Sequence, residues 1–100
     1  MNVLVEKSVY DKLKEEAEKR GISIPGIIRE LLVEYFGLED NTRSYKRKEI
    51  ENEVIKVGEK EYVRLQVKLR KENEILIKNE LRKRGISINQ LIKNEILLLA

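Results

Sequence analysis

The sequence predicts a mainly α-helical protein with a short β-ribbon, built as strand, helix, helix and then the same three elements again. Three observations point to it. Residues 19–24 read Lys-Arg-Gly-Ile-Ser-Ile, and residues 83–88 repeat those letters unchanged. The same offset of 64 residues matches Val3 with Val67, Lys7 with Lys71, Lys14 with Lys78, Glu16 with Glu80 and Ile28 with Ile92. A strict apolar–polar alternation before one helical stretch, and apolar stripes of helical period in both copies, supply the other two. So long a period in a chain of 100 residues means one supersecondary unit used twice. A unit of about 40 residues buries too little surface to stand alone, so the copies must pack on each other or on another chain.

The strand is clearest in the second copy. Val63-Arg64-Leu65-Gln66-Val67-Lys68-Leu69 alternates with period two, which sets Val63, Leu65, Val67 and Leu69 on one face and Arg64, Gln66 and Lys68 on the other. In the first copy Met1, Val3 and Val5 take the inward positions, and Asn2 and Leu4 face out. A helix follows each strand. Ser8 with Asp11 three residues on resembles a capping box, with Asp in place of Glu. Val9, Leu13 and Ala17 stack on one face, and Lys19, Arg20 and Gly21 make a favourable helix end. Ile77 and Leu81 hold the matching face of the second copy, closed by Gly85.

A second helix starts at once in each copy, with Ser23 and Ser87 as N-caps. Pro25 is tolerated in the first turn, where its missing N–H would have no helical partner. The apolar stripe is Ile24, Ile27, Ile28, Leu31, Leu32 and Tyr35 in the first copy, ending at Gly37. In the second it is Ile88, Leu91, Ile92, Ile96 and Leu99. The closing run Ile-Leu-Leu-Leu-Ala is apolar all round and calls for cover. Residues 1–37 and 62–100 thus form the two motifs, with 38–61 as linker. Within that linker Arg43, Lys46, Arg47 and Lys48 form a basic cluster, and the stretch from Glu49 to Val57 fits equally an extra strand or a short helix.

Composition narrows the function. Charged residues make up 39% and apolar ones 41%, enough for a core beneath an ion-rich surface. Such Lys/Glu enrichment without cysteine is also a habit of hyperthermophile proteins. With no Cys and no His there is no disulfide, no thiolate metal site and no histidine base. No nucleotide-binding or hydrolase motif occurs, so an enzyme is not expected, nor any cofactor, metal or small-molecule substrate. No apolar run reaches bilayer length and no signal-peptide pattern opens the chain, which sets a cytoplasmic expectation with no membrane partner. Net charge is only +3, but Tyr62 to Lys71 carries four cations (Arg64, Lys68, Arg70, Lys71) and no acid.

Strand, helix, glycine turn and serine-capped helix within about 40 residues resemble the ribbon-helix-helix family, the Arc and methionine-repressor superfamily of DNA-binding regulators. The ribbon Arg64-Leu65-Gln66-Val67-Lys68-Leu69 and the turn Lys83-Arg84-Gly85-Ile86-Ser87 carry the resemblance, and Val5 to Gly21 repeats the spacing. The tandem form looks like regulators of archaea and their viruses. The resemblance implies two ribbons pairing antiparallel and entering the DNA major groove. The residues suit that role on their own chemistry. Arg64 and Lys68 donate to guanine O6 and N7, Gln66 pairs with adenine, and each such contact discriminates by ~1–3 kcal/mol. In the first ribbon Asn2 is the polar reader, and Leu4 suits a thymine methyl. The resemblance further implies phosphate contacts at Ser23, Ser87 and Asn89 through helix N-termini. Arg70 and Lys71 would add attraction blind to sequence.

The expected function is therefore a sequence-specific double-stranded DNA-binding transcription regulator, a repressor in preference to an activator. The alternative is an antitoxin-like or structural protein-interaction module on the same fold. Two assemblies satisfy the repeat: ribbons pairing within one chain, which keeps closure local and is preferred, or like ribbons pairing between two chains. A linker of about 25 residues reaches ~80 Å, so length forbids neither. Self-association is expected in both.

Overall fold

The computed structural model describes residues 1–40 and 53–98. Its elements run β1 (Asn2–Glu6), α1 (Lys7–Arg20), α2 (Ile24–Phe36), β2 (Glu53–Val57), β3 (Lys60–Gln66), α3 (Lys71–Arg84) and α4 (Ile88–Leu98). The protein is mainly α, with one three-stranded antiparallel sheet in the order β1-β3-β2. The two copies pair within the chain. Asn2 lies opposite Gln66, Val3 opposite Leu65, Leu4 opposite Arg64, Val5 opposite Val63 and Glu6 opposite Tyr62. Beyond the strand, Met1 and Val67 exchange two further bonds of 2.8 Å through backbone and N-terminal groups.

That register turns Val3, Val5, Val63, Leu65 and Val67 inward, each no more than 2% exposed. They join Leu13, Ile27, Ile28, Leu32, Ile77 and Ile92, from all four helices, in one core cluster. No polar or charged residue is buried among the described residues. Fully burying a side chain of this size contributes about 1.5–3 kcal/mol. The core is thus shared between copies, neither of which holds enough apolar surface to form one alone.

The helix ends follow the repeat. Gly21 and Gly85 adopt φ of 67° and 64°, a left-handed conformation that a side chain would strain. The N–H groups of Ile22 and Ile86 then close back onto the carbonyls of Ala17 and Leu81. Ser23 Oγ accepts from Gly26 N–H and Ser87 Oγ from Gln90 N–H, both at 3.1 Å. The preceding arginines serve different contacts. Arg20 bonds Glu16 and Glu30 at 3.1 and 2.9 Å, tying α1 to α2. Arg84 donates to Tyr35 Oη at 2.7 Å, tying α3 to α2 of the other copy.

Several expectations are corrected. The capping box at Ser8 and Asp11 does not form. The chain passes from β1 into α1 with Glu6 at the cap position and no side-chain cap, so Ser8 already lies inside the first turn. The second ribbon strand starts at Lys60 and ends at Gln66 rather than spanning Val63 to Leu69, so Lys68 lies past the strand. Leu69 is half-buried against the core. Tyr35 is not in the buried stripe but 39% exposed, because its hydroxyl turns to Arg84. At the chain's apolar close Leu97 and Leu98 are exposed, while Leu99 lies outside the described residues. Of the stretch that fits either strand or helix, Glu53–Val57 is a strand that returns through Gly58 and Glu59 into β3. The basic cluster at Arg43, Lys46, Arg47 and Lys48 lies outside the described residues.

One contact has no local signature. α3 lacks a side-chain cap of its own, and Asp40, just past the first copy, supplies the acceptor. Its Oδ2 takes the N–H of Arg70 and the Nδ2 of Asn73, both at 3.0 Å, while Asn73 also donates to the Glu39 carbonyl at 2.8 Å. We expect Asp40→Ala to cost about 0.5–2 kcal/mol of stability, the range for losing an N-cap acceptor, read as a lower denaturant midpoint at unchanged slope.

Next to that cap, Glu74 lies 3.2 Å from Lys78 Nζ and 3.8 Å from the α-ammonium of Met1. The hydrogen bond from Lys78 outweighs the opposing effect of burial and, with the charge of the two cations, holds the Glu74 carboxyl below its ordinary value. A lowered carboxylate pKa stabilises the fold above the unfolded value, and that contribution fades as pH falls through the folded one. In urea titrations Glu74→Gln should therefore be less stable than wild type near neutrality, with the gap closing below about pH 4, under the ordinary glutamate range.

Candidate nucleic-acid interface

The register that buries one face of the ribbon exposes the other. Asn2 and Gln66 are exposed and face each other at the end of the β1–β3 ladder. Next along lie Leu4, half-buried, and Arg64, exposed. Glu6 and Tyr62, both half-buried, follow. Successive outward residues on a strand stand roughly 6.8 Å apart, two rises of about 3.4 Å, which matches two base-pair rises along a DNA strand. The third strand borders this face on one side, where Glu53 lies opposite Arg64. Lys68 is exposed past the strand end. Arg64 and Lys68 both have interaction partners within the chain, so binding a ligand exchanges partners rather than filling an empty valence.

The repeat has a geometric consequence here. Asn2 and Gln66 are equivalent at the offset of 64 and are also partners across the ladder. A pseudo-two-fold axis therefore passes between these two amides. It carries Leu4 onto Lys68 and Glu6 onto Arg70.

The structure treats the expected phosphate residues unequally. Arg70 is the residue before α3, its N–H taken by Asp40 and its guanidinium 3.8 Å from Glu72. Lys71 is exposed at the first position of α3. At α4 the third N–H is taken by Ser87, while the N–H groups of Ile88 and Asn89 fall in the first turn, where helices leave donors unbonded. At α2 the equivalent of Asn89 is Pro25, so that end has one donor fewer. The N-terminus of α4 opens on a cleft of about 200 Å³ lined by Glu6, Val9, Tyr62, Ser87, Gln90 and Lys93. Glu6 and Lys93 pair there at 3.9 Å. Asn89 also lines this cleft and turns its Oδ1 into a buried position with no hydrogen-bond partner.

Sequence reasoning missed Glu6 and Tyr62 as part of the outward face. The alternation through Asn2 and Leu4 leads on to Glu6 and is the available signal; Tyr62 requires the register. Among the described residues no helix is long and apolar enough to cross a membrane, and no group of His, Cys, Asp or Glu is arranged to hold a metal ion.

The fold recurs in a solved structure from an archaeal virus, and the sequence recurs in further viral proteins. No family model matches the chain. Protein 28 of Sulfolobus islandicus filamentous virus (isolate Iceland/Hveragerdi) is 59% identical over 100 residues, all of this chain and 99% of that protein. Protein ORF100b of Acidianus filamentous virus 2 (isolate Italy/Pozzuoli) is 50% identical over 97 residues, 97% of each chain. The solved structure of AvtR, a transcriptional regulator from a hyperthermophilic archaeal lipothrixvirus, matches with a TM-score of 0.87 at 48% identity. That match covers 98% of this chain and 99% of AvtR. The chain belongs to this family of filamentous-virus proteins that includes AvtR.

Proposed function

We propose that the protein is a transcription regulator that binds double-stranded DNA sequence-specifically, through a tandem ribbon-helix-helix unit formed by residues 1–37 and 62–100. The carrying observation is the in-chain pairing of β1 with β3, which sets Asn2, Arg64 and Gln66 on one exposed face above a shared core. The kinship with AvtR supports the regulatory role. A two-stranded ribbon fits the major groove, where each base pair shows a distinct pattern of donors and acceptors.

In this reading Gln66 and Asn2 address adenine, Arg64 and Lys68 address guanine, and Leu4 meets a thymine methyl. Arg70, Lys71 and the N-termini at Ser23 and at Ser87 with Asn89 hold phosphates and set the ribbon's depth without reading sequence. The regulator acts as a repressor, by occupying the groove. The exposed Leu97 and Leu98 on α4, and Ile75 and Leu76 on α3, support self-association as part of the same proposal.

Two substitution sets separate these roles. In gel shifts on a site enriched from random duplexes, Arg64→Ala with Lys68→Ala should lose about 1–3 kcal/mol of discrimination per base pair addressed and no longer prefer that site. A double variant that enriches the same site with the same affinity and salt slope would overturn the ribbon reading. Arg70→Ala with Lys71→Ala should instead weaken binding to all sequences alike. Its plot of log affinity against log salt should flatten by roughly 0.9 for each phosphate that is no longer neutralised.

A further inference from the structure

We propose that a single chain reads a non-palindromic DNA core in one fixed orientation, an inference that rests on the DNA-reading function above. The pseudo-two-fold axis through Asn2 and Gln66 would give a palindromic reader if the residues it relates were alike. They are alike only at the axis, where two amides meet. One step out, the axis relates Leu4 to Lys68: an apolar side chain suited to a thymine methyl stands where an ammonium suited to guanine stands on the other side. Two steps out it relates Glu6 to Arg70, opposite charges at positions that approach the phosphates.

Each difference has a structural counterpart. On the Leu4 flank Arg64 lies directly opposite Leu4. Opposed side chains in a ladder have Cβ atoms about 4.5–5.5 Å apart, so this pair addresses one base pair or two adjacent ones, joining guanine and thymine preference. The third strand borders this flank, and the flank's acid, Glu6, is held by Lys93 at 3.9 Å. The other flank carries Lys68, Arg70 and Lys71. The helix N-termini differ as well, since Pro25 removes a donor at α2 that Asn89 keeps at α4. The core bound by one chain therefore has an adenine-bearing centre, a guanine and thymine step on the Leu4–Arg64 side, and a cation-read guanine on the Lys68 side.

The test is enrichment from duplexes whose random core is about 10 base pairs, one helical turn, so that one ribbon fills it. The wild type should enrich a core that differs from its own reverse complement. Leu4→Lys matches the residue that the axis relates to it, while Arg64 keeps no counterpart on the other flank; it should lose the preference on the Leu4 side by roughly 5- to 150-fold and shift the enriched core toward a palindrome. Lys68→Leu, at an exposed position, should alter preference on the opposite flank alone. Circular dichroism checks that both variants fold. A palindromic core for the wild type, or variants that each change both flanks equally, would overturn the inference and leave DNA reading standing. Failure of the folded wild type to enrich any core would overturn DNA reading itself, and this inference with it.

Discussion

The antiparallel pairing of β1 with β3 is the interaction on which the rest of the molecule depends, because it is where two half-domains without sufficient cores become one. Val3 and Val5 come from the first copy, Val63, Leu65 and Val67 from the second, and helices of both copies close over them. Side chains alternate strictly along a strand, so a slip of one residue would turn every valine outward and every polar residue inward. The cost of burying Arg64 or Gln66 without partners, a few kcal/mol each at least, excludes that slip. Core stability and the chemistry of the exposed face are thus set by one register.

Within that frame the duplication has diverged where the frame permits. The inner positions of the ribbon and the glycine turns are nearly interchangeable between copies. The outer positions and the helix ends are not: Arg20 joins two helices of its own copy, whereas Arg84 reaches Tyr35 and stacks 5.3 Å from its ring centre across the copy boundary. Asp40 does the same from the opposite direction by capping α3. These cross-copy contacts are polar, exposed and individually modest. They orient one copy against the other about a core that supplies the bulk of the stabilisation.

Much of this is legible in the letters alone, for physical reasons that also mark the limits. Period-two alternation identifies the ribbon because one of its faces is buried, and the serine caps are legible because an N-cap bond spans three residues. The Ser8–Asp11 pair carries the same signature and misleads, because the boundary between β1 and α1 is decided by how far the ladder with β3 runs. The third strand is ambiguous since it is an edge: Val54 and Val57 are 58% and 60% exposed, so little burial pattern is imposed on it. Asp40 and Tyr35 find their partners 30 and 49 residues away, beyond the reach of any local rule. The outward residues of the candidate interface are visible as types, but Glu6 and Tyr62 join them only through the register.

The modest net charge of +3 is consistent with a molecule that concentrates its cations rather than accumulating them. Distant surface charges are screened beyond about 8–10 Å at physiological salt, so a ligand at the ribbon responds to Arg64, Lys68, Arg70 and Lys71 and hardly to the far side of the helices. Several of the chain's other cations are already matched, as Lys78 is with Glu74, Lys83 with Glu80 and Lys93 with Glu6. For the DNA-reading role proposed above, a modest net charge is an advantage, because affinity for arbitrary DNA competes directly with occupancy of the chosen site.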